Sequence, residues 1–180
     1  AAGGLGTVTA ADVETINLNI TDADTGFTSA GYNDANGVPV KTANVSSTTL
    51  AVAGNTATKA ITVEGAGNLT LNVAANTKLA TVDAGNATGA LTLNLSAHNG
   101  DAITVTGGKG NDVLTASQGA TAKADVLVGG EGNDTLNAGS NGAKLTGGDG
   151  NDLFVLTAGT KEANTYSSIQ DFKAGDVLEL

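Results

Sequence analysis

Gly129-Gly130-Glu131-Gly132-Asn133-Asp134-Thr135-Leu136-Asn137 is the stretch whose reading decides the fold, because it recurs. Gly107-Gly108-Lys109-Gly110-Asn111-Asp112-Val113-Leu114-Thr115 precedes it, and Gly147-Gly148-Asp149-Gly150-Asn151-Asp152-Leu153-Phe154-Val155 follows. All three read G-G-x-G-N-D-x-U-x without gaps, U being a large apolar residue. Glycines let such a segment turn tightly, since positive φ costs them nothing. Leu114, Leu136 and Phe154 come two residues after each Asp, on one side of a short strand and pointing into a core. The step from Gly129 to Gly147 is 18 residues, two nonapeptides or one coil of a roll. The step from Gly107 to Gly129 is 22, which reads as 18 plus an insertion of four within Ser117–Lys123. Asp125-Val126-Leu127-Val128 repeats the D-x-U-x half of the motif. The spacing predicts that the three intact turns stack on one edge, with the degenerate halves 116–128 and 138–146 opposite. In the second of these halves Ala143 stands where Asp belongs.

Over roughly residues 107–155 the chain resembles the repeat-in-toxin (RTX) family, whose nonapeptide binds calcium. The chemistry agrees: calcium takes six to eight oxygen ligands, carboxylate and carbonyl alike. One Asp per nonapeptide is too few for a closed site, and the resemblance implies ions shared between stacked turns. The ligand set so implied comprises Gly108, Gly110, Asn111 and Asp112 in the first turn. Gly130, Glu131, Gly132, Asn133 and Asp134 supply the second, and Gly148, Asp149, Gly150, Asn151 and Asp152 the third. Asp125 stands alone on the far edge. About two calcium ions are expected, one between the Asp112 and Asp134 turns and one between the Asp134 and Asp152 turns. A single copy would read more simply as a tight turn capped by Asn and Asp; three copies at near-coil spacing favour metal.

Upstream, residues 40–106 lack the motif but keep its rhythm. Short aliphatic runs alternating with Thr or Asn recur, with Val52, Val63, Val73, Val82, Leu93 and Val105 as markers at steps of 9 to 12. Val13–Thr21 is an earlier strand of this kind, and residues 22–39, ending at the sole Pro39, look like an inserted loop. Its Asp22, Asp24 and Asp34 suit a solvated acidic loop better than a further calcium site. The fold class expected is all-β, a right-handed parallel β-helix or β-roll solenoid with RTX turns. It divides into a solenoid of about ten-residue half-coils over 1–106 and an RTX roll with a C-terminal cap over 107–180. The tail Ile169-Gln170-Asp171-Phe172-Lys173-Ala174-Gly175-Asp176-Val177-Leu178 resembles the segment that follows RTX repeats. There Ile169 and Phe172 would cap the roll, and Asp171 or Asp176 would be secondary candidates for a terminal ion.

Composition excludes several functions. The 180 residues include 26 Gly, only 3% aromatics and no Cys, Met or Trp. There is accordingly no disulfide scaffold, no thiol nucleophile and no Cys-based zinc site. A net charge of −10 without any Arg leaves no basic footprint for nucleic acid. No apolar run approaches the ~18 residues of a membrane span. His98, the one histidine, lies near Ser96 and Asp101, but Ser96–Gly100 reads as a strand end entering a turn, and no enzyme is expected here. The six N-x-[ST] sequons, at Asn19, Asn44, Asn68, Asn86, Asn94 and Asn133, arise readily in an Asn/Thr-rich chain. The chain starts Ala1-Ala2-Gly3-Gly4 and reads as a piece of a longer protein.

The Thr/Asn/Ala/Gly-rich strands ahead of a short RTX stretch are similar to the C-terminal parts of bacterial surface-layer proteins. That resemblance implies type I secretion, an extracellular location and calcium-driven folding. It also implies self-association into a surface array, with cell-surface glycan contacted through other parts of the parent. Alternatives are the non-catalytic RTX module of a secreted enzyme, or an adhesin or ice-binding solenoid. For the last, Thr62, Thr70, Thr92 and Thr104 would line one face.

Overall fold

Alternation of buried aliphatic and outward polar residues, repeated at half-coil spacing, gives short strands that bury one side only by stacking on their neighbours. The structure, a computed structural model, describes residues 7–8, 14–20, 32–33, 39–41, 48–52, 58–73, 78–119, 122–157 and 166–180. In chain order its strands begin with β1 (Thr7–Val8), β2 (Thr15–Asn19), β3 (Tyr32–Asn33), β4 (Pro39–Lys41), β5 (Thr48–Val52) and β6 (Ala60–Gly65). There follow β7 (Leu69–Val73), β8 (Thr81–Ala87), β9 (Leu91–Asn94), β10 (Thr104–Thr106), β11 (Val113–Thr115) and β12 (Asp125–Glu131). The last are β13 (Thr135–Asn137), β14 (Ala143–Asp149), β15 (Leu153–Val155), β16 (Ser168–Ile169) and β17 (Val177–Glu179).

From β5 onward the chain alternates between two parallel sheets. One runs β1-β5-β7-β9-β11-β13-β15-β17, the other β16-β14-β12-β10-β8-β6-β2. The fold is therefore an all-strand parallel β-solenoid, and no helix occurs among the described residues. β3 and β4 form a separate antiparallel pair, β3 inside the expected loop and β4 running from its last residue to Lys41. Asp22, Asp24 and Asp34 lie outside the described residues.

Between the sheets lies a thin core, one column of aliphatic side chains per strand position. In the first sheet the register stacks Leu71, Leu93, Leu114, Leu136 and Phe154. In the second it stacks Ile61, Val82, Val105, Leu127 and Leu145. All ten are buried, and each such side chain is worth roughly 1.5–3 kcal/mol relative to exposure. Ala84, Ala87, Ala116, Ala138 and Ala143 are buried as well. The columns shift two of the upstream markers: Ile61, rather than Val63, stacks on Val82, and Leu71, rather than Val73, stacks on Leu93.

Coil length is also read differently in the structure. Equivalent residues of successive coils lie 21, 22, 18 and 24 apart along the turn edge. The 22-residue step is thus the upstream coil length carried onward, and the 18-residue coil is the short one. Both sheets continue across residues 106 and 107 through β8-β10-β12 and β9-β11-β13. The four threonines named above divide between the sheets: Thr62 and Thr104 lie on one, Thr70 and Thr92 on the other.

Candidate metal centre

Each G-G-x-G-N-D segment leaves the end of a strand in one sheet and enters a strand of the other, so the turns at 107–112, 129–134 and 147–152 stack on one edge. Asp112, Asp134 and Asp152 project inward at this corner and are each 1% exposed. The same edge carries Gly65-Ala66-Gly67-Asn68 upstream, where Leu69 and then Leu91 occupy the place of the Asp. Leu69 pairs with Leu91, and the Leu91 N–H donates to Asp112 Oδ1 at 2.7 Å. One buried column therefore changes from leucine to aspartate on entering the repeats.

The aspartates form a ladder directed backward along the stack. The Asp112 N–H donates to Asp134 Oδ1 (2.8 Å), the Asp134 N–H to Asp152 Oδ1 (3.0 Å), and the Asp152 N–H to Asp176 Oδ1 (3.0 Å). The neighbouring asparagines form a second ladder directed forward. Asn111 Oδ1 accepts from the Asn133 N–H and Asn133 Oδ1 from the Asn151 N–H, each at 2.8 Å, as Asn68 Oδ1 accepts from Ala90. The Asn side chains thus satisfy backbone donors of the next coil. Sequence reasoning grouped them with the metal ligands and missed this role, although the G-x-G-N match between 65–68 and 108–111 was there to be read.

The second oxygen of each carboxylate distinguishes the turns. Asp112 Oδ2 accepts from the Gly108 N–H at 2.7 Å, whereas Asp134 Oδ2 is buried with no hydrogen-bond partner. Asp152 Oδ2 lies 3.4 Å from Lys173 Nζ. The first motif glycine makes room for this oxygen: a Cβ on Gly107, Gly129 or Gly147 would lie 2.3, 2.1 or 2.2 Å from it. Gly130, Gly132, Gly148 and Gly150 have positive φ, while Gly108 and Gly110 do not, so the first turn differs from the other two.

Burial, reinforced by the like charges of Asp112 and Asp152, pushes Asp134 up to about 7 against the lowering effect of the Asp112 N–H. Burial also raises Asp112. Asp176 is lowered, because N–H donation from Asp152 and Lys173 and the Lys173 charge outweigh its desolvation.

The remaining candidates are placed as follows. Glu131 pairs with Lys109 on the exposed rim and lies in register with Asp149. Asp125 is on the opposite edge, accepting from the Ile103 and Ser117 N–H groups, and its register partner is Ala143. It has no carboxylate next to it in the stack. Asp171 accepts from the Gly147 and Gly148 N–H groups, and the Phe172 ring packs 6.0 Å from that of Phe154. His98 is fully buried with Nε2 bonded to the Asp101 carbonyl, inside the turn the sequence suggested.

No three carboxylates or imidazoles converge among the described residues, so a cation on this edge needs main-chain carbonyls as well as Asp side chains. The residues fit that demand: a buried carboxylate oxygen without a donor sits among glycine turns whose carbonyls are close-stacked. Calcium bound there supplies the positive charge that lets neighbouring buried carboxylates ionise together.

This architecture defines a class, the parallel β-solenoid with repeated acidic glycine turns. Within it, the family described as the RTX calcium-binding nonapeptide repeat (4 copies) matches residues 104–120 and 144–160, which hold the first and third turns. These two segments of the solenoid are thus similar to RTX calcium-binding repeats. No curated protein and no solved structure matches the chain. No helix among the described residues is long and apolar enough to cross a membrane.

Proposed function

We propose that the chain is a structural calcium-binding module of an extracellular bacterial protein, most like a surface-layer protein exported by a type I system. In this reading calcium drives folding of the repeats after secretion, and the folded module contributes to a self-associated surface array. The observation that carries the calcium part is Asp134, whose Oδ2 is buried without a donor between two further buried aspartates. About two ions, shared by Asp112 with Asp134 and by Asp134 with Asp152, would balance that column. The division at 106/107 is then a change of chemistry in one column, from Leu91 to Asp112, within one stack.

An ion that binds only the folded state adds about 2.7 kcal/mol per site at a hundredfold excess over Kd. Extracellular modules bind with Kd of roughly 10⁻⁴–10⁻³ M, so the scarce calcium of a cytosol would leave the repeats open for export. Calcium should raise both β-structure by circular dichroism and the melting temperature. A chelated sample with the same spectrum and melting point as the calcium form would refute the reading. Electron microscopy with added calcium tests the assembly part: ordered sheets support the surface-layer role, and a persistent monomer favours the module of a secreted enzyme.

A further inference from the structure

The fourth turn of the edge, Asp171-Phe172-Lys173-Ala174-Gly175-Asp176, keeps the ladder aspartate but has lost the glycine pair. Gly175 stacks on Asn151, since a Cβ there would lie 2.0 Å from Asn151 Oδ1, and Asp176 receives the Asp152 N–H. This alignment puts Lys173 at the variable position of the motif, above Asp149. Its side chain turns back into the stack, donating to the Gly148 carbonyl and lying 3.4 Å from Asp152 Oδ2. One coil earlier the corresponding acceptors are the Gly130 carbonyl and Asp134 Oδ2, and there the carboxylate oxygen has no partner. The backbone that carries Lys173 is held from several sides. Asp176 Oδ2 accepts from the Lys173 N–H, Asp171 fixes the Gly147 and Gly148 N–H groups, and Phe172 packs on Phe154.

We propose that Lys173 is the fixed cation of the fourth turn, standing where the row would otherwise take a further calcium ion. This rests on the calcium reading above. A divalent ion and an ammonium drawn to the same carbonyl and carboxylate would repel each other, so one excludes the other. The row is thereby interrupted at this turn by a residue of the chain itself.

The test is the number of calcium ions bound per chain, measured by calorimetric titration with calcium chloride and by native mass spectrometry. Lys173→Met should bind one more ion than the wild type, whereas Lys173→Arg, which keeps the cation, should bind the wild-type number. Lys173→Gln serves as a second neutral variant should the methionine form fail to fold. A neutral variant that binds the same non-zero number as the wild type overturns the assignment. A wild type that binds none overturns the calcium reading, and the assignment falls with it.

Discussion

Acidification should move the metal-free and calcium-loaded forms in opposite directions. Asp134 is raised from 3.8 to about 7 in the fold. Its folded state therefore holds a proton that the unfolded chain has already released. That contribution is fully present below about pH 4 and is lost as pH rises through about 7. The shift of about three units corresponds to about 4 kcal/mol at 1.36 kcal/mol per unit. Water screening at the rim of so thin a coil halves it, to about 2 kcal/mol. Asp112 is raised by burial as well and acts with the same sign. Asp176 is lowered, so its contribution disappears only as pH falls below about 4. In chelator, lowering the pH from 8 to 5 realises about two of those three units and should raise the melting temperature by roughly 3–5 °C, at 2–4 °C per kcal/mol. In saturating calcium the proton competes for the same carboxylates, so the melting temperature should fall over that range and the two curves converge. Thermal melts followed by circular dichroism at pH 5 to 8, with chelator and with calcium, measure both. A chelated melting temperature that is flat, or that rises with pH, would refute the placement of three buried carboxylates in one column.

Other substitutions separate the parts of the edge. Gly129→Ala puts a methyl 2.1 Å from Asp134 Oδ2 and should cost about 1–3 kcal/mol and weaken calcium binding by titration. Gly85→Ala, whose nearest contact would be 3.2 Å, should leave calcium binding unchanged. Asn133→Ala removes the acceptor of the Asn151 N–H and should cost about 1 kcal/mol, seen as faster hydrogen exchange at Asn151. Leu136→Ala opens the core column beneath the second turn and should lower stability to urea by about 2–5 kcal/mol.

Much of this molecule was legible because its physics is periodic. The D-x-U alternation put Leu114, Leu136 and Phe154 in one column, and the motif spacing put three turns on one edge. What escaped depends on how coils of unequal length are aligned. Lengths of 18 to 24 residues hide the fact that Leu91 and Asp112 are neighbours, or that Lys173 stands above Asp149. The threonines of the ice-binding alternative divide between the sheets, which half-coil steps alone do not reveal, because they do not say which sheet a strand enters. The Asp ladder escaped for another reason, since each bond joins a side chain to the backbone of an adjacent coil; the Asn ladder left one sign, the G-x-G-N of 65–68, which no Asp follows.

The change from leucine to aspartate along one column also bears on how the stack forms. The first turn of a one-dimensional array is the costly one, since it fixes backbone before any neighbour rewards it. Here the upstream coils close on leucine and need no ion, so they provide a finished end to which the first acidic turn adds. In the proposed reading the acidic turns add to that end, and calcium would drive elongation without having to drive nucleation. Detached from that seed, the same repeats would have to meet the nucleation cost with calcium alone, and would need more of it to fold.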